Sequence, residues 1–284
     1  MAGHGFAVNI DENDNLMERL TQYEPFRVQD ADIETMVFEL DVVQPSAFPV
    51  WTAYHEDTWQ DDEGSQISAG HNDDASCFEF YLFRKRAGRL MVNSTYDHAI
   101  LTLENDRLFG LNNALMVMYA LATSNKQTAL FHSSVISYQG HGYMFLGKSG
   151  TGKSTHSGLW LKYIEGTELM NDDNPVVRFI DGQPWVFGSP WSGKTPCYRN
   201  VKAPLGAIVR LSQAPYNKIR PLRSIHAYAA LVPSISGKRW DSHLADGLHE
   251  TESLLASKAH VYHLECLPDE AAARLCVETV TSAV

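Results

Sequence analysis

Short runs in which β-branched and aromatic residues alternate with polar ones open the chain: Thr35–Val42 (TMVFELDV), Cys77–Arg84 (CFEFYLFR) and His98–Leu103 (HAILTL). They predict strands, because extended backbone turns successive side chains to opposite faces. Between the first two, Tyr54–Ala75 carries seven acids and no Lys or Arg, with Gly64, Gly70 and Asn72 interspersed. It reads mainly as a solvated loop, an exposed acidic hairpin or insertion being favoured over a metal site. At Leu111–Ser124 (LNNALMVMYALATS) the spacing becomes helical, and the segment is apolar enough to be buried on most sides. Two more apolar runs follow, Leu130–Tyr138 and Gly142–Leu146, separated by Gln139-Gly140-His141 as in a tight hairpin.

Downstream, the pattern predicts a helix over Thr155–Ile164 and a short strand over Glu168–Asn171. It predicts a strand pair, Pro175–Ile180 and Pro184–Phe187, across Asp181-Gly182, and a buried strand over Pro204–Leu211. Helices are expected at Arg223–Leu231, Trp240–Ala256 and Asp269–Thr281, with a strand at His260–Glu265. Strands and helices thus mix throughout, an α/β (α+β) chain in two parts: a strand-rich accessory domain over 1–110 and a second domain over 111–284.

With 44% hydrophobic and 20% charged residues the chain is an ordinary globular sequence of 284 residues, neither disordered nor fibrous. Its net charge of −11 argues against a nucleic-acid or anionic-membrane binder. That charge is uneven: residues 1–128 hold 21 acids against 8 bases, whereas Arg178 to Arg223 holds eight bases and the single acid Asp181. The basic stretch leaves room for a phosphorylated or carboxylate-bearing substrate. Cys77, Cys197, Cys266 and Cys276 form no C-x-x-C pair, which disfavours a zinc module or disulfide scaffold. With no basic leader and no long apolar run, a cytoplasmic location is expected.

The strongest signal is Gly147-Lys148-Ser149-Gly150-Thr151-Gly152-Lys153-Ser154, a G-x-x-x-x-G-K-[ST] sequence between an apolar strand and a helix that begins near Thr155. Glycines let successive amides curl round an anion, and the helix start adds its positive dipole end. Lys153 is then expected to meet β- and γ-phosphate oxygens of ATP, and Ser154 the magnesium ion that bridges them. A second match, Gly188-Ser189-Pro190-Trp191-Ser192-Gly193-Lys194-Thr195, has the wrong setting, since Pro190 removes an amide donor and no helix follows. It reads as a loop closing on the first site, with Lys194 or Arg199 as a charge partner for substrate or phosphate.

Asn171-Asp172-Asp173-Asn174 ends a short apolar stretch, and strand ends are where open α/β sheets present their chemistry. Adjacent carboxylates on extended backbone point apart, so one can face a metal and the other receive a hydroxyl proton. His132 lies just before the loop strand and on spacing alone reads as a core residue. His156, inside the loop helix, faces either substrate or solvent.

Taken in order, Phe131-His132-Ser133-Ser134-Val135, the loop GKSGTGKST, Leu169-Met170-Asn171-Asp172-Asp173 and the Gly-x-Pro-Trp-x-Gly segment resemble the HPr kinase/phosphorylase-related kinases. Their phosphate-binding domain is similar to that of phosphoenolpyruvate carboxykinase, and the resemblance runs from about Phe131 to Leu211. It implies a carboxykinase-like P-loop fold for 111–284, Lys153 as phosphate ligand, Ser154 and Asp172 at magnesium, Asp173 as the base, and His132 near the acidic pair. The expected activity is transfer of the ATP γ-phosphoryl group to a hydroxyl of a small molecule or of a protein serine, with the possibility of a homo-oligomer left open. A nucleotide-binding regulator without transfer, or a small carboxykinase, are the alternatives.

Overall fold

The computed structural model describes all residues except 12–13, 30–35, 52–55, 61–63, 194, 241 and 283–284. The chain forms two compact units, Gly3–Thr123 and Ser124–Val284. The division falls after the long helix, whereas the sequence pattern places it before, at 110/111. Helix α1 (Arg107–Ala122) packs on the first sheet and belongs to the first unit.

In the first unit, β1 (Gly5–Asn9), β2 (Met36–Val42), β3 (Asp57–Gln60), β4 (Ser65–His71), β5 (Ala75–Leu82), β6 (Lys85–Asn93) and β7 (His98–Leu103) form one mixed sheet. Its order is β1-β2-β7-β6-β5-β4-β3. The acidic segment expected to be mainly loop contributes β3 and β4, an antiparallel pair at the sheet edge. All of β3 is exposed, an edge strand of polar residues and Trp59 with the single acid Asp57. The first residue of the expected strand Thr35–Val42 lies outside the described residues, and the rest is β2.

The second unit contains β8 (Thr128–Phe131), β9 (Ser133–Tyr138), β10 (His141–Leu146), α2 (Lys153–Tyr163), β11 (Glu168–Asp173), β12 (Val176–Ile180) and β13 (Gln183–Phe187). There follow β14 (Lys202–Gln213), β15 (Lys218–Leu222), α3 (Ile225–Leu231), β16 (Ile235–Ser236), α4 (Ser242–Lys258), β17 (Val261–Cys266) and α5 (Glu270–Thr281). The apolar run at 130–138 is two strands, not one. β8 pairs with β12 and β9 with β10, and the chain changes partners at His132. The twelve-residue β14 joins the two groups: its first residues pair with β13, and the rest lie parallel to β10 on one side and β17 on the other.

Six strands therefore lie in the order β11-β9-β10-β14-β17-β15, with β10, β14 and β17 parallel. Alternation along each strand divides the core. Phe145, Val209, Leu211 and Leu264 face α2 and α5 with Trp160 and Cys276, while Met144, Leu146, Ile208 and Val261 face the opposite side with Ala227, Leu231 and Leu248 of α3 and α4. The C-terminal ends of β10, β11, β14 and β17 come out at one rim, the place where such sheets bind ligands.

Candidate active site

β10 ends at Leu146 and α2 begins at Lys153, so the glycine-rich loop spans the rim between them. Gly150 and Gly152 take φ of +75° and +107°, angles that a side chain would strain. Gly152 caps α2 without a side-chain hydrogen bond, and no acid lies in the first turn. The first amides of α2 have no acceptor within the helix, and the positive dipole end is left uncompensated. An anion is the complement of that arrangement.

Lys153 is half-buried and its ammonium donates to the Gly147 carbonyl at 3.0 Å, across the loop. Burial pulls its pKa below the ordinary lysine value, against the upward pull of Asp173 and Asp172. Ser154 turns the other way and its hydroxyl donates to Asp172 Oδ1 at 3.0 Å. The adjacent carboxylates do point apart. Asp172 pairs in register with Ser134, whose hydroxyl meets Ser157 of α2, whereas Asp173 pairs with Ser133.

Asp173 ends β11 at φ +154°, a backbone angle that residues with side chains rarely hold. Its Oδ1 lies 3.2 Å from His132 Nδ1, and its Oδ2 accepts a hydrogen bond from Asn174 Nδ2 at 2.6 Å. The change of strand partner at 132 is what frees this histidine from the core and turns it to the acid. Beside it the Ser133 hydroxyl is fully buried, with no hydrogen-bond partner among the described residues.

The second glycine segment lies against the same strand. Gly193 N donates to the Asp172 carbonyl at 2.5 Å, and Ser192 Oγ donates to it at 3.2 Å. Asn171, fully buried, donates to Ser189 Oγ and to the Trp191 carbonyl, both at 3.2 Å, while Ser189 Oγ donates to Asn174 O at 2.6 Å. These contacts tie the segment to the backbone that carries both acids. Asn171, Asn174, Ser189 and Ser192 are the positions that the sequence reading passed over, although an Asn on either side of an acid pair is a visible signal. Lys194 lies outside the described residues. Arg199 donates to Glu168 Oε2 and to the Leu169 carbonyl, both at 2.8 Å. That is the far end of β11, so Arg199 is not brought to the acids.

On the α2 and α5 side of the rim, a cleft of about 640 Å³ adjoins the loop. Gly150, Thr151, Gly152 and Thr155 form one side of it, and Leu211, Ala214, Leu267 and Pro268 offer apolar surface. His156 borders this cleft but is buried: Trp160 Nε1 donates to its Nε2 at 3.2 Å, and burial pushes its pKa down to about 4.

Among the described residues no three His, Cys, Asp or Glu side chains converge as a metal site. The Ser154 and Asp172 oxygens nevertheless fit a small hard cation such as magnesium, which takes few protein ligands and completes its shell with water and substrate oxygens. The second unit thus belongs to the mixed α/β class, with a glycine-rich loop, an acid pair and an apolar cleft on one rim. No family model matches the chain, and no curated protein is similar to it. Among solved structures it is similar to the Hpr(Ser) kinase/phosphatase from Coxiella burnetii, at 11% identity and a TM-score of 0.31, over 54% of this chain and 93% of that one.

Proposed function

We propose that the chain is an ATP- and magnesium-dependent phosphotransferase that moves the γ-phosphoryl group to a hydroxyl acceptor. The observation that carries this reading is the divergence of the acid pair: Asp172 meets the loop hydroxyl of Ser154, while Asp173 is held apart by His132 and Asn174. One carboxylate serves a cation and the other an acceptor proton, the two requirements of phosphoryl transfer to a hydroxyl.

In this reading the amides of Gly147 to Thr155, with the side chains of Lys148, Ser149 and Thr151 on the rim, cradle the phosphates, and Lys153 neutralises them. The apolar cleft beside Thr155 takes the nucleoside. Ser154 and Asp172 hold magnesium, which supplies charge neutralisation at the phosphate oxygens. Asp173 takes the proton from the acceptor hydroxyl; each of its oxygens keeps a lone pair beyond the bond it already makes. His132 and Asn174 fix the plane of that carboxylate so that little reorganisation is needed.

The test is ³¹P NMR of the chain with ATP, magnesium and a panel of hydroxyl compounds and serine peptides. A new phosphoester signal that disappears in Asp173→Asn, with nucleotide binding retained, supports the reading. Nucleotide binding without any product from wild type defeats it in favour of a regulatory binder.

A further inference from the structure

One cross-strand row runs over the whole rim. In register, Asp173 of β11 pairs with Ser133 of β9, Ser133 with Leu146 of β10, Leu146 with Arg210 of β14, Arg210 with His263 of β17, and His263 with Arg220 of β15. All six lie on one face, away from α2. Leu146 belongs to the α3 and α4 side of the core, and Arg210, His263 and Arg220 each alternate with residues packed on the α2 and α5 side, namely Val209, Leu264 and Ile219.

Six strands from distant parts of the chain thus carry the acid of the site at one end of a row and two arginines at the other, with the phosphate loop rising from the middle. Arg210 and Arg220 are exposed. Arg210 makes no hydrogen bond or ion pair among the described residues. Arg220 donates to His263 Nδ1 at 3.3 Å, and His263 Nε2 lies 2.8 Å from Ser212 Oγ. With Nδ1 accepting, the neutral ring carries its proton on Nε2. Burial, Arg220 and Arg210 depress the His263 pKa in agreement, with Glu265 pulling the other way. The two guanidinium charges therefore converge on an uncharged ring and are not cancelled there. Glu265, one row further out, accepts from Tyr216 at 3.1 Å and pairs in register with Lys218.

We propose that the acceptor carries an anionic group, a carboxylate or a phosphate, which Arg210 holds on this face while its hydroxyl reaches Asp173, with Arg220 further along the row adding its positive charge. The inference rests on the phosphotransferase reading and names the substrate class it uses. It also separates the two ligands: the apolar cleft lies on the α2 and α5 side of the rim and the arginine row on the other, so the phosphoryl group passes over the sheet edge at Leu146. Adjacent strands lie about 4.8 Å apart, so the Cα atom of Asp173 is about 14 Å from that of Arg210 and about 24 Å from that of Arg220. The long side chain of Arg210 and the short one of Asp173 leave room in the shorter interval for a compact hydroxy acid or hydroxy phosphate, whereas Arg220 stands too far out to touch it.

The test uses the intact chain saturated with magnesium and β,γ-imido-ATP, titrated by calorimetry with two matched pairs of probes. sn-Glycerol 3-phosphate is compared with glycerol, and L-malate with 1,2,4-butanetriol. At least one anionic probe is expected to bind at least about tenfold more tightly than its neutral partner, as a charge-assisted hydrogen bond requires. The pair that does so tells phosphate from carboxylate. Arg210→Gln is expected to remove most of that difference and Arg220→Gln a smaller part of it, while imido-ATP affinity stays within about twofold in both, which also shows that the variants are folded. Equal binding of charged and neutral probes overturns the proposal, as does an Arg210→Gln variant that binds the anion like wild type or loses imido-ATP instead. Failure of wild type to bind imido-ATP removes the phosphotransferase reading itself, a distinct outcome.

Discussion

His132 Nδ1 and Asp173 Oδ1 lie 3.2 Å apart, joining the point where the chain leaves β8 for β9 to the last residue of β11. Asn174 holds the other oxygen, so the carboxylate is fixed at both ends. If Asp173 is the base, Asp173→Asn keeps the shape and loses the proton acceptor. Turnover measured by ³¹P NMR is expected to fall by about 10²- to 10⁴-fold, with unchanged imido-ATP affinity.

His132 acts through Asp173 and is a positioning residue, which sets a different expectation. His132→Ala is expected to lower kcat by roughly tenfold with little change in the KM for ATP, because orientation of the carboxylate is lost and phosphate binding is not. His132→Asn, which keeps an N–H donor near the place of Nδ1, is expected to restore most of the rate. A merely structural histidine gives no such rescue.

Burial works against the charged form of Lys153, and Asp173 and Asp172 offset it only in part. Lys153→Met preserves length and apolar contact while removing the charge. Its Tm without ligand is expected to equal or exceed that of wild type, and the upward Tm shift produced by ATP and magnesium in wild type is expected to vanish. Thermal unfolding with and without nucleotide measures both. A retained nucleotide shift takes Lys153 out of the site.

How much of this was legible in the sequence follows from how local each feature is. The glycine-rich loop is contiguous, and its strand, glycines and helix all lie within His141–Tyr163, so the pattern places these elements correctly. The divergence of Asp172 and Asp173 follows from the two-residue period of a strand, and it too was readable. On spacing alone His132 was not, since the apolar run at 130–138 continues its alternation through the residue; the family resemblance put it near the acid pair, and the change of partner from β12 to β10 shows why it leaves the core. The role expected for Arg199 failed for a similar reason, since its partner Glu168 precedes the acids by a whole strand length. The row from Asp173 to Arg220 depends on five pairings between separate strands, and no sequence spacing encodes it. β3 and β4 were hidden because the acids that flank them, together with Gly64, Gly70 and Asn72, make the whole segment look like loop.

Gly188 holds the start of the second glycine segment in close approach to the Arg199 backbone and, less tightly, to the Met170 carbonyl of β11. A Cβ there would meet the Arg199 carbonyl oxygen at 2.0 Å, backbone that cannot swing aside. Gly188→Ala is therefore expected to push the segment away from β11 and to cost about 1–3 kcal/mol, the range for overpacking a close contact. Urea unfolding gives the cost. The contacts of Gly193 and Ser192 with the Asp172 carbonyl loosen with it, so turnover is expected to fall more than stability alone explains. A variant as stable and active as wild type removes the segment from the site.

His156 gives the fold a defined acid limit. It is buried, accepts a hydrogen bond from Trp160, and has a pKa of about 4, against 6.5 for an unburied histidine. Above pH 6.5 the ring is neutral in both folded and unfolded chains and contributes no pH dependence. As the pH falls from 6.5 to 4 the unfolded chain takes up a proton that the folded chain refuses, so stability declines with falling pH. A shift of this size corresponds to about 3 kcal/mol by pH 4, at 1.36 kcal/mol per unit. His156→Gln, which keeps an acceptor for Trp160 and does not titrate, is expected to flatten this limb of a plot of unfolding free energy against pH. Carboxylates elsewhere still give acid unfolding below pH 4, so the measurement is the difference between the two curves from pH 7 to pH 4. Parallel curves over that interval mean that the ring takes up its proton equally in the folded and unfolded chain, and burial of His156 then carries no acid penalty.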